Sequence, residues 1–166
     1  YLAIYLFMNL GAFSIVAFLR NQIKSEEIED YGGLIHQCPG VVVCMAIALF
    51  SLVGLPPLAG FIGKFAIFAS LVEGYQATAE SGSAATFLLV LLVIGGINTA
   101  ISLFYYLRVV KVMIIDPEPE NRTPINFSLV SLSGAFVALI AAPILLLIIT
   151  WDKVNEVARA AAEHLM

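Results

Sequence analysis

The chain has 166 residues, of which 61% are hydrophobic and 12% charged, with a mean hydropathy of +0.98 and a formal net charge of −4. Soluble domains are nearer half apolar and a quarter charged, so this composition indicates an integral membrane protein. The few charges form no basic patch, so nucleic acid is not expected as a partner. Cys38 and Cys44 lie six residues apart, which matches no zinc or redox motif, so no metal site is expected.

Four apolar stretches are long enough, or nearly so, to cross a bilayer whose core of about 30 Å needs roughly 20 helical residues. The expected spans are 1–19, 41–72, 84–113 and 127–151. The predicted fold class is therefore all-α integral membrane, with four transmembrane helices in a region covering 1–151. The tail 152–166 has apolar residues at helical spacing, which predicts a short amphipathic surface helix. Because the first residue already lies in an apolar run, we expect the chain to be a piece of a longer protein.

The distribution of lysine and arginine predicts the side of the membrane that each loop faces, because cytoplasmic loops carry an excess of both. Loop 20–40 carries two basic residues, and three lie in or beside loop 114–126, whereas loop 73–83 carries none. We therefore expect loops 20–40 and 114–126 to be cytoplasmic. Loop 73–83 and the C-terminus should lie on the opposite side.

The second span is too long for one straight helix. Its 32 residues would extend about 48 Å, well beyond the hydrocarbon core. Its centre reads L-V-G-L-P-P-L-A-G-F-I-G-K-F, from Leu52 to Phe65. Prolines remove backbone donors and disfavour helix in the preceding residue, and glycines tolerate unusual backbone angles. The span should therefore break at 54–60 into two half-helices. The residues expected to make the break are Gly54, Pro56, Pro57, Gly60 and Gly63.

Broken helices at membrane depth persist only where protein or a water-filled cavity satisfies their polar groups, and transporters use them repeatedly. A proline-kinked span that merely packs against its neighbours is the alternative interpretation.

Lys64 favours the transporter interpretation. It is the only charged side chain between Pro39 and Val72. A lysine at the centre of a membrane helix costs about 2.5–3.5 kcal/mol, and such residues usually face the bundle interior and serve ion or proton paths. The alternative is a lysine whose amine snorkels to the membrane surface. If Lys64 serves a proton path, its amine must take up and release a proton near neutral pH. A lysine with its free pKa of about 10.4 does this poorly.

The third span carries a polar stripe. Gly95, Asn98, Ser102 and Tyr105 are spaced by three, four and three residues, which places them on one helix face. We take Asn98, Ser102 and Tyr105, with Lys64, as candidate proton-path residues. Close helix packing, which also uses small and hydroxyl residues, is the competing explanation. In the first span, Tyr5 and Asn9 are one turn apart and allow the same two interpretations.

Three segments together resemble the proton-translocating, antiporter-like subunits of respiratory complex I. They are Y-L-F-M-N-L-G-A-F at Tyr5–Phe13, S-L-V-G-L-P-P-L-A-G-F-I-G-K-F at Ser51–Phe65 and S-L-F-Y-Y-L-R-V at Ser102–Val109. Within that group, the N-L-G-A-F stretch and the loop from Asp30 to Leu34 favour the subunit N family of NADH-quinone oxidoreductase. The sister subunits L and M and the multisubunit sodium/proton antiporters share the fold and the broken helix.

The resemblance implies a subunit of about fourteen helices, of which this chain would supply the eleventh to fourteenth. Lys64 would be the lysine of the broken helix and would pass protons between a central hydrated axis and the periplasmic side. NADH, flavin, iron–sulfur clusters and quinone would react on partner subunits, so the resemblance implies a chain without cofactor or catalytic residues. Its expected partners are the lipid bilayer, other membrane-arm subunits, the earlier helices of its own subunit and protons, in the cell inner membrane.

Overall fold

A computed structural model describes residues 2–78, 82–120, 122, 124–125, 127, 130–149 and 156, and the side chains of all of these except 147–149. The described residues form helices and no strand. The helices are α1 (Leu2–Ile23), a 3₁₀ turn (Ile28–Tyr31), α2 (Leu34–Gln37), α3 (Pro39–Val53), α4 (Ala59–Ala77), α5 (Gly82–Ile114) and α6 (Leu132–Ile149). The surface helix expected at 152–166 lies outside the described residues, apart from Glu156.

Two of these helices, α1 and α5, are long and apolar enough to cross a membrane by length and composition, and α3 and Leu132–Leu146 of α6 are shorter apolar helices. The first helix runs about one turn beyond the predicted boundary at residue 19. Arg20 lies in its last turn, where a cation interacts favourably with the negative end of the helix dipole. The helix α6 contains Pro143 in its interior.

The packed core lies where α1, α3 and α6 meet, and α3 also contacts α5. Its best-buried side chains are aliphatic or methionine residues with almost no exposed surface. They include Met8, Ile15 and Leu19 of α1, Val41 and Val42 of α3, Met113 of α5, and Val137 and Ile144 of α6. Burying such side chains contributes roughly 1.5–3 kcal/mol each before the entropy of ordering them is subtracted.

The long helix α5 has α4 packed against its first half and α3 against its second half. The ring of Phe68 in α4 lies so close to Gly95 that a Cβ there would be 2.9 Å from it, and a Cβ on Gly74 would meet Leu88 at 3.2 Å. At the other end of α5, the N–H of Gly33, just before α2 and α3, donates to the Val112 carbonyl at 3.3 Å. The helices α3 and α4 therefore follow one another along α5.

Arg122 joins the two connections that were expected to be cytoplasmic. Its guanidinium donates to the carbonyl oxygens of Asp30 at 3.1 Å and Gly32 at 2.5 Å. It also lies 3.2 Å from the Glu118 carboxylate, and only 2% of its side chain is exposed. The neighbouring Cys38 is buried, and this burial raises the pKa of its thiol although the Arg122 charge opposes the effect. Both cysteines are free thiols.

Candidate functional site

The end of α3 has the hydrogen bonds of a Schellman motif. Gly54 has a φ of +88°, in the left-handed region that glycine adopts at low cost. Its N–H donates to the Ser51 carbonyl, and the Leu55 N–H donates to the Phe50 carbonyl, both at 3.0 Å. These bonds satisfy two of the last four carbonyls of the helix, which have no partner within it. Residues 54–58 then continue as a non-helical linker.

The prolines of the linker are exposed, and the peptide bond between Pro56 and Pro57 is cis. The next helix begins at Ala59 without a capping side chain from Leu58. Instead, the N–H of Gly60 donates to the Ser51 hydroxyl at 3.1 Å, in a buried contact. A Cβ on Gly60 would overlap the Ser51 carbonyl oxygen, so the close approach of α3 and α4 requires glycine at this position. Gly63, one turn later, is also buried.

The Lys64 amine turns back towards α3. Its Nζ donates to the Val53 carbonyl at 3.0 Å, in a partly buried contact. Val53 is the last residue of α3, so the ammonium lies at the helix end where the backbone dipoles place partial negative charge. The amine thus supplies a partner for a carbonyl that the Schellman motif leaves unbonded.

A cavity of about 390 Å³ lies beside Lys64, between α1, α3, α4 and α5. Its lining is part apolar and part hydroxyl, amide and amine. The lining residues are Tyr5, Leu52, Lys64, Ile67, Phe68, Asn98, Thr99, Ser102 and Tyr106. This lining, drawn from the described residues, contains no carboxylate, and no group of three metal-ligating side chains occurs in the part of the chain that the structure describes.

Two hydroxyls of the cavity have their hydrogens committed to the backbone. Thr99 donates to the Gly95 carbonyl at 2.9 Å, and Ser102 donates to the Asn98 carbonyl at 2.7 Å. A hydroxyl whose hydrogen is bound in this way still has acceptor lone pairs. The α5 side of the cavity therefore offers acceptors opposite an amine that has three hydrogens to donate when charged.

The structure brings three of the four candidate proton-path residues to this cavity: Lys64, Asn98 and Ser102. Tyr105 does not line it, and 62% of its surface is exposed. Tyr106 takes the place beside the cavity, together with Thr99 and Tyr5. A sequence signal for these did exist, because Gly95, Thr99, Ser102 and Tyr106 are spaced by four, three and four residues, which is an equally good helical stripe.

The described residues form helices, two of them long and apolar enough to cross a membrane, and this defines the chain as a helical membrane protein. The chain belongs to the NADH:quinone oxidoreductase/Mrp antiporter transmembrane family, whose model matches residues 1–88, more than half of its length. The family expected from the sequence motifs is thereby confirmed.

Individual proteins of known name are similar to this chain over most of its length. Subunit N of NADH-quinone oxidoreductase from Desulforamulus reducens is 36% identical over 166 residues, which cover 100% of this chain and 32% of that protein. The same subunit from Rhodospirillum rubrum is 39% identical over 170 residues, covering 99% of this chain and 31% of that protein. Subunit 2 of the chloroplast NAD(P)H-quinone oxidoreductase of Mesostigma viride is 43% identical over 120 residues, covering 72% and 22%. The chain thus spans about a third or less of the length of these relatives.

A solved structure has the same fold. A chain of respiratory complex I from Thermus thermophilus, determined with bound aureothin, matches with a TM-score of 0.65 and 25% identity. The match covers 90% of this chain and 32% of that chain.

Proposed function

We propose that this chain is part of subunit N of an NADH-quinone oxidoreductase and conducts protons through the membrane arm of that complex. The observation that carries the proposal is the cavity of about 390 Å³, in which Lys64 faces hydroxyl and amide groups of α5 beside the break between α3 and α4. The names of the relatives, most of them subunit N, support the choice of complex.

In this proposal α3, the linker and α4 form one discontinuous span. The 15 residues of α3 reach only about 22 Å, less than the hydrocarbon core of about 30 Å. The successive packing of α3 and α4 along α5, whose 33 residues extend about 50 Å, supports a single interrupted path across the membrane. The exposed prolines of the linker would then be covered by other helices of the subunit, while the Ser51 hydroxyl and the Lys64 amine satisfy two backbone groups beside the break.

Lys64 is the proton carrier in this proposal. When charged, its amine uses one hydrogen on the Val53 carbonyl, and two remain for water or for acceptors in the cavity. When neutral, it offers a lone pair that accepts a proton from the same water. A water needs only about 10–15 Å³ of such space, so the cavity has room for a chain of several. Asn98, Ser102, Thr99 and Tyr106 would orient that chain.

The partners and the location follow from the same proposal. The countercharge of Lys64 comes from water or from the remaining helices of the subunit, because the described cavity lining holds no carboxylate. Other membrane-arm subunits and lipid surround the chain in the cell inner membrane. NADH oxidation and quinone reduction take place on other subunits, and this chain binds no cofactor.

Replacing Lys64 with alanine in the whole complex tests the proposal. We expect NADH-driven proton uptake by inverted membrane vesicles, measured per assembled complex, to fall about tenfold or more, since a positioned acid–base group contributes roughly 10²–10⁴-fold to proton transfer. Lys111→Ala is the matched control, because that lysine is exposed and pairs only with Asp116 at 3.2 Å. It should pump at the normal rate.

Three other results would each decide against the proposal. Normal pumping by a normally assembled Lys64→Ala complex would overturn it. Loss of the assembled complex on a native gel would instead favour a structural role for Lys64. Flux that depends on sodium, in the unmodified complex, would favour a sodium/proton antiporter, which the family name also covers.

A further inference from the structure

The end of α3 and the start of α4 are each capped by a side chain from the other helix. Ser51, in the last turn of α3, accepts a hydrogen bond from the Gly60 N–H in the first turn of α4. Lys64 of α4 donates in the opposite direction, to the Val53 carbonyl at the end of α3. Since helix ends leave backbone groups without partners, these reciprocal caps satisfy one donor and one acceptor across the break.

The Ser51 cap determines where Lys64 lies. Ser51 has no exposed surface, and Gly60 packs directly on its carbonyl oxygen, so the first turn of α4 is held from two directions. Lys64 follows Gly60 by four residues, about one helical turn. A slip of α4 by one residue would rotate Lys64 by about 100°, away from the Val53 carbonyl and from the cavity.

We propose that Ser51 is a positioning residue for proton transfer at Lys64. Its hydroxyl holds the start of α4 so that the amine faces both the Val53 carbonyl and the cavity. Ser51 is not among the residues that line the cavity, so it acts through Lys64 and carries no proton itself. This inference rests on the proton function proposed above.

A double substitution distinguishes this role from a purely structural one. If Ser51 acts through the amine, removing its hydroxyl from a complex that already lacks the Lys64 amine should cause no further loss of pumping. A structural role would instead lower the rate or the assembly of the double variant below that of Lys64→Ala alone.

The test is Ser51→Ala in the complete complex, alone and combined with Lys64→Ala, with proton uptake by inverted vesicles measured per assembled complex. We expect the rate to fall about three- to tenfold in the single variant, and the double variant to match Lys64→Ala alone. Ser70→Ala is the matched control, because the Ser70 hydroxyl bonds the carbonyl of Ile67 within its own helix. It should keep the normal rate.

One further variant keeps the test decisive if Ser51→Ala fails to assemble. Ser51→Cys has nearly the same size but accepts hydrogen bonds weakly, and should pump at an intermediate rate. A normal rate in an assembled Ser51→Ala or Ser51→Cys complex would overturn the positioning role, and so would a double variant that pumps more slowly than Lys64→Ala alone.

The Lys64→Ala variant separates the two proposals. If it loses pumping while Ser51→Ala keeps the normal rate, only the positioning role fails. If Lys64→Ala itself pumps normally, the proposed proton function fails, and the role of Ser51 fails with it.

Discussion

At the scale of single residues, Arg122 is the most deeply buried cation among the described residues, and its contacts explain why. Its guanidinium takes the place of water as the donor to two backbone carbonyls. One is that of Asp30 in the 3₁₀ turn, and the other is that of Gly32, between this turn and α2. Its ion pair with Glu118 adds less, because that carboxylate is 40% exposed and screened by solvent. The main loss on removing Arg122 would therefore be the partners of the two carbonyls and the packing of the long side chain.

Arg122→Ala should lower the stability of the connection by about 1–3 kcal/mol, the cost of leaving buried polar groups without partners. The change should appear as a lower midpoint temperature for thermal inactivation of the purified complex. Arg108→Ala is the control, since Arg108 is 53% exposed and lies 3.8 Å from Glu29. Such a pair contributes about 0–1 kcal/mol. Equal midpoints for the two variants would show that Arg122 does not hold the connections together.

At the scale of helices, the sequence predicted the position of the break but not how its ends are satisfied. Proline and glycine act through local backbone chemistry, so their pattern predicted a linker at 54–60. In the structure the non-helical residues are 54–58, and Gly60 and Gly63, which were expected in the break, lie within α4. The caps by Ser51 and Lys64 join residues nine and eleven apart. They depend on how α3 and α4 approach each other, which no local pattern encodes.

The polar stripe of α5 is a second case in which the local sequence pattern does not decide the arrangement. A helix has 3.6 residues per turn, so spacings of three and four fit one face equally well, and adjacent residues differ in direction by about 100°. The choice between Tyr105 and Tyr106 therefore depends on how α5 is rotated against α4. Contacts such as that of Phe68 with Gly95 determine this rotation, and the structure turns Tyr106 to the cavity.

The close approach of the half-helices predicts that Gly60 tolerates no side chain. In Gly60→Ala the Cβ would overlap the Ser51 carbonyl oxygen, a backbone atom that also accepts the Gly54 N–H and cannot move freely. We expect a loss of about 1–3 kcal/mol from overpacking, visible as less intact complex on native gels and faster thermal inactivation.

Gly96→Ala provides the comparison for this prediction. A Cβ at Gly96 would meet nothing within 4 Å, and alanine is favoured over glycine within a helix by roughly 0.5–1 kcal/mol. The Gly96 variant should therefore match or slightly exceed the unmodified complex. A Gly60→Ala complex as abundant and as stable as the Gly96 variant would contradict the packing seen at the break.

At the scale of the whole molecule, one face of α5 exposes a long stripe of large apolar side chains. Its exposed large side chains run along most of its length and include Phe87, Val90, Ile94, Ile97, Ile101 and Phe104. Soluble monomers rarely expose a continuous apolar patch of this extent, so lipid or further helices must cover it. The composition predicted this membrane setting. The chain spans only about a third of the length of its relatives, so the contacts that cover α5 could not be predicted from it.

The arrangement of the loops across the membrane is the remaining prediction at this scale. The excess of lysine and arginine predicts that loops 20–40 and 114–126 lie in the cytoplasm and loop 73–83 outside it. Glu27 and Ser83 are exposed residues that this prediction assigns to opposite sides, so cysteines at these positions can be labelled. With Cys38 and Cys44 replaced by serine, a membrane-impermeant maleimide should label Ser83→Cys in intact spheroplasts and Glu27→Cys in inverted vesicles.

Permeabilised membranes are the control, because there the reagent reaches both faces and both variants should react alike. The prediction depends on a charge asymmetry and not on the fold, since the same helices would pack equally well in either orientation. Labelling of Glu27→Cys in intact spheroplasts would reverse the orientation. The direction of proton release through Lys64 would then have to be assigned anew.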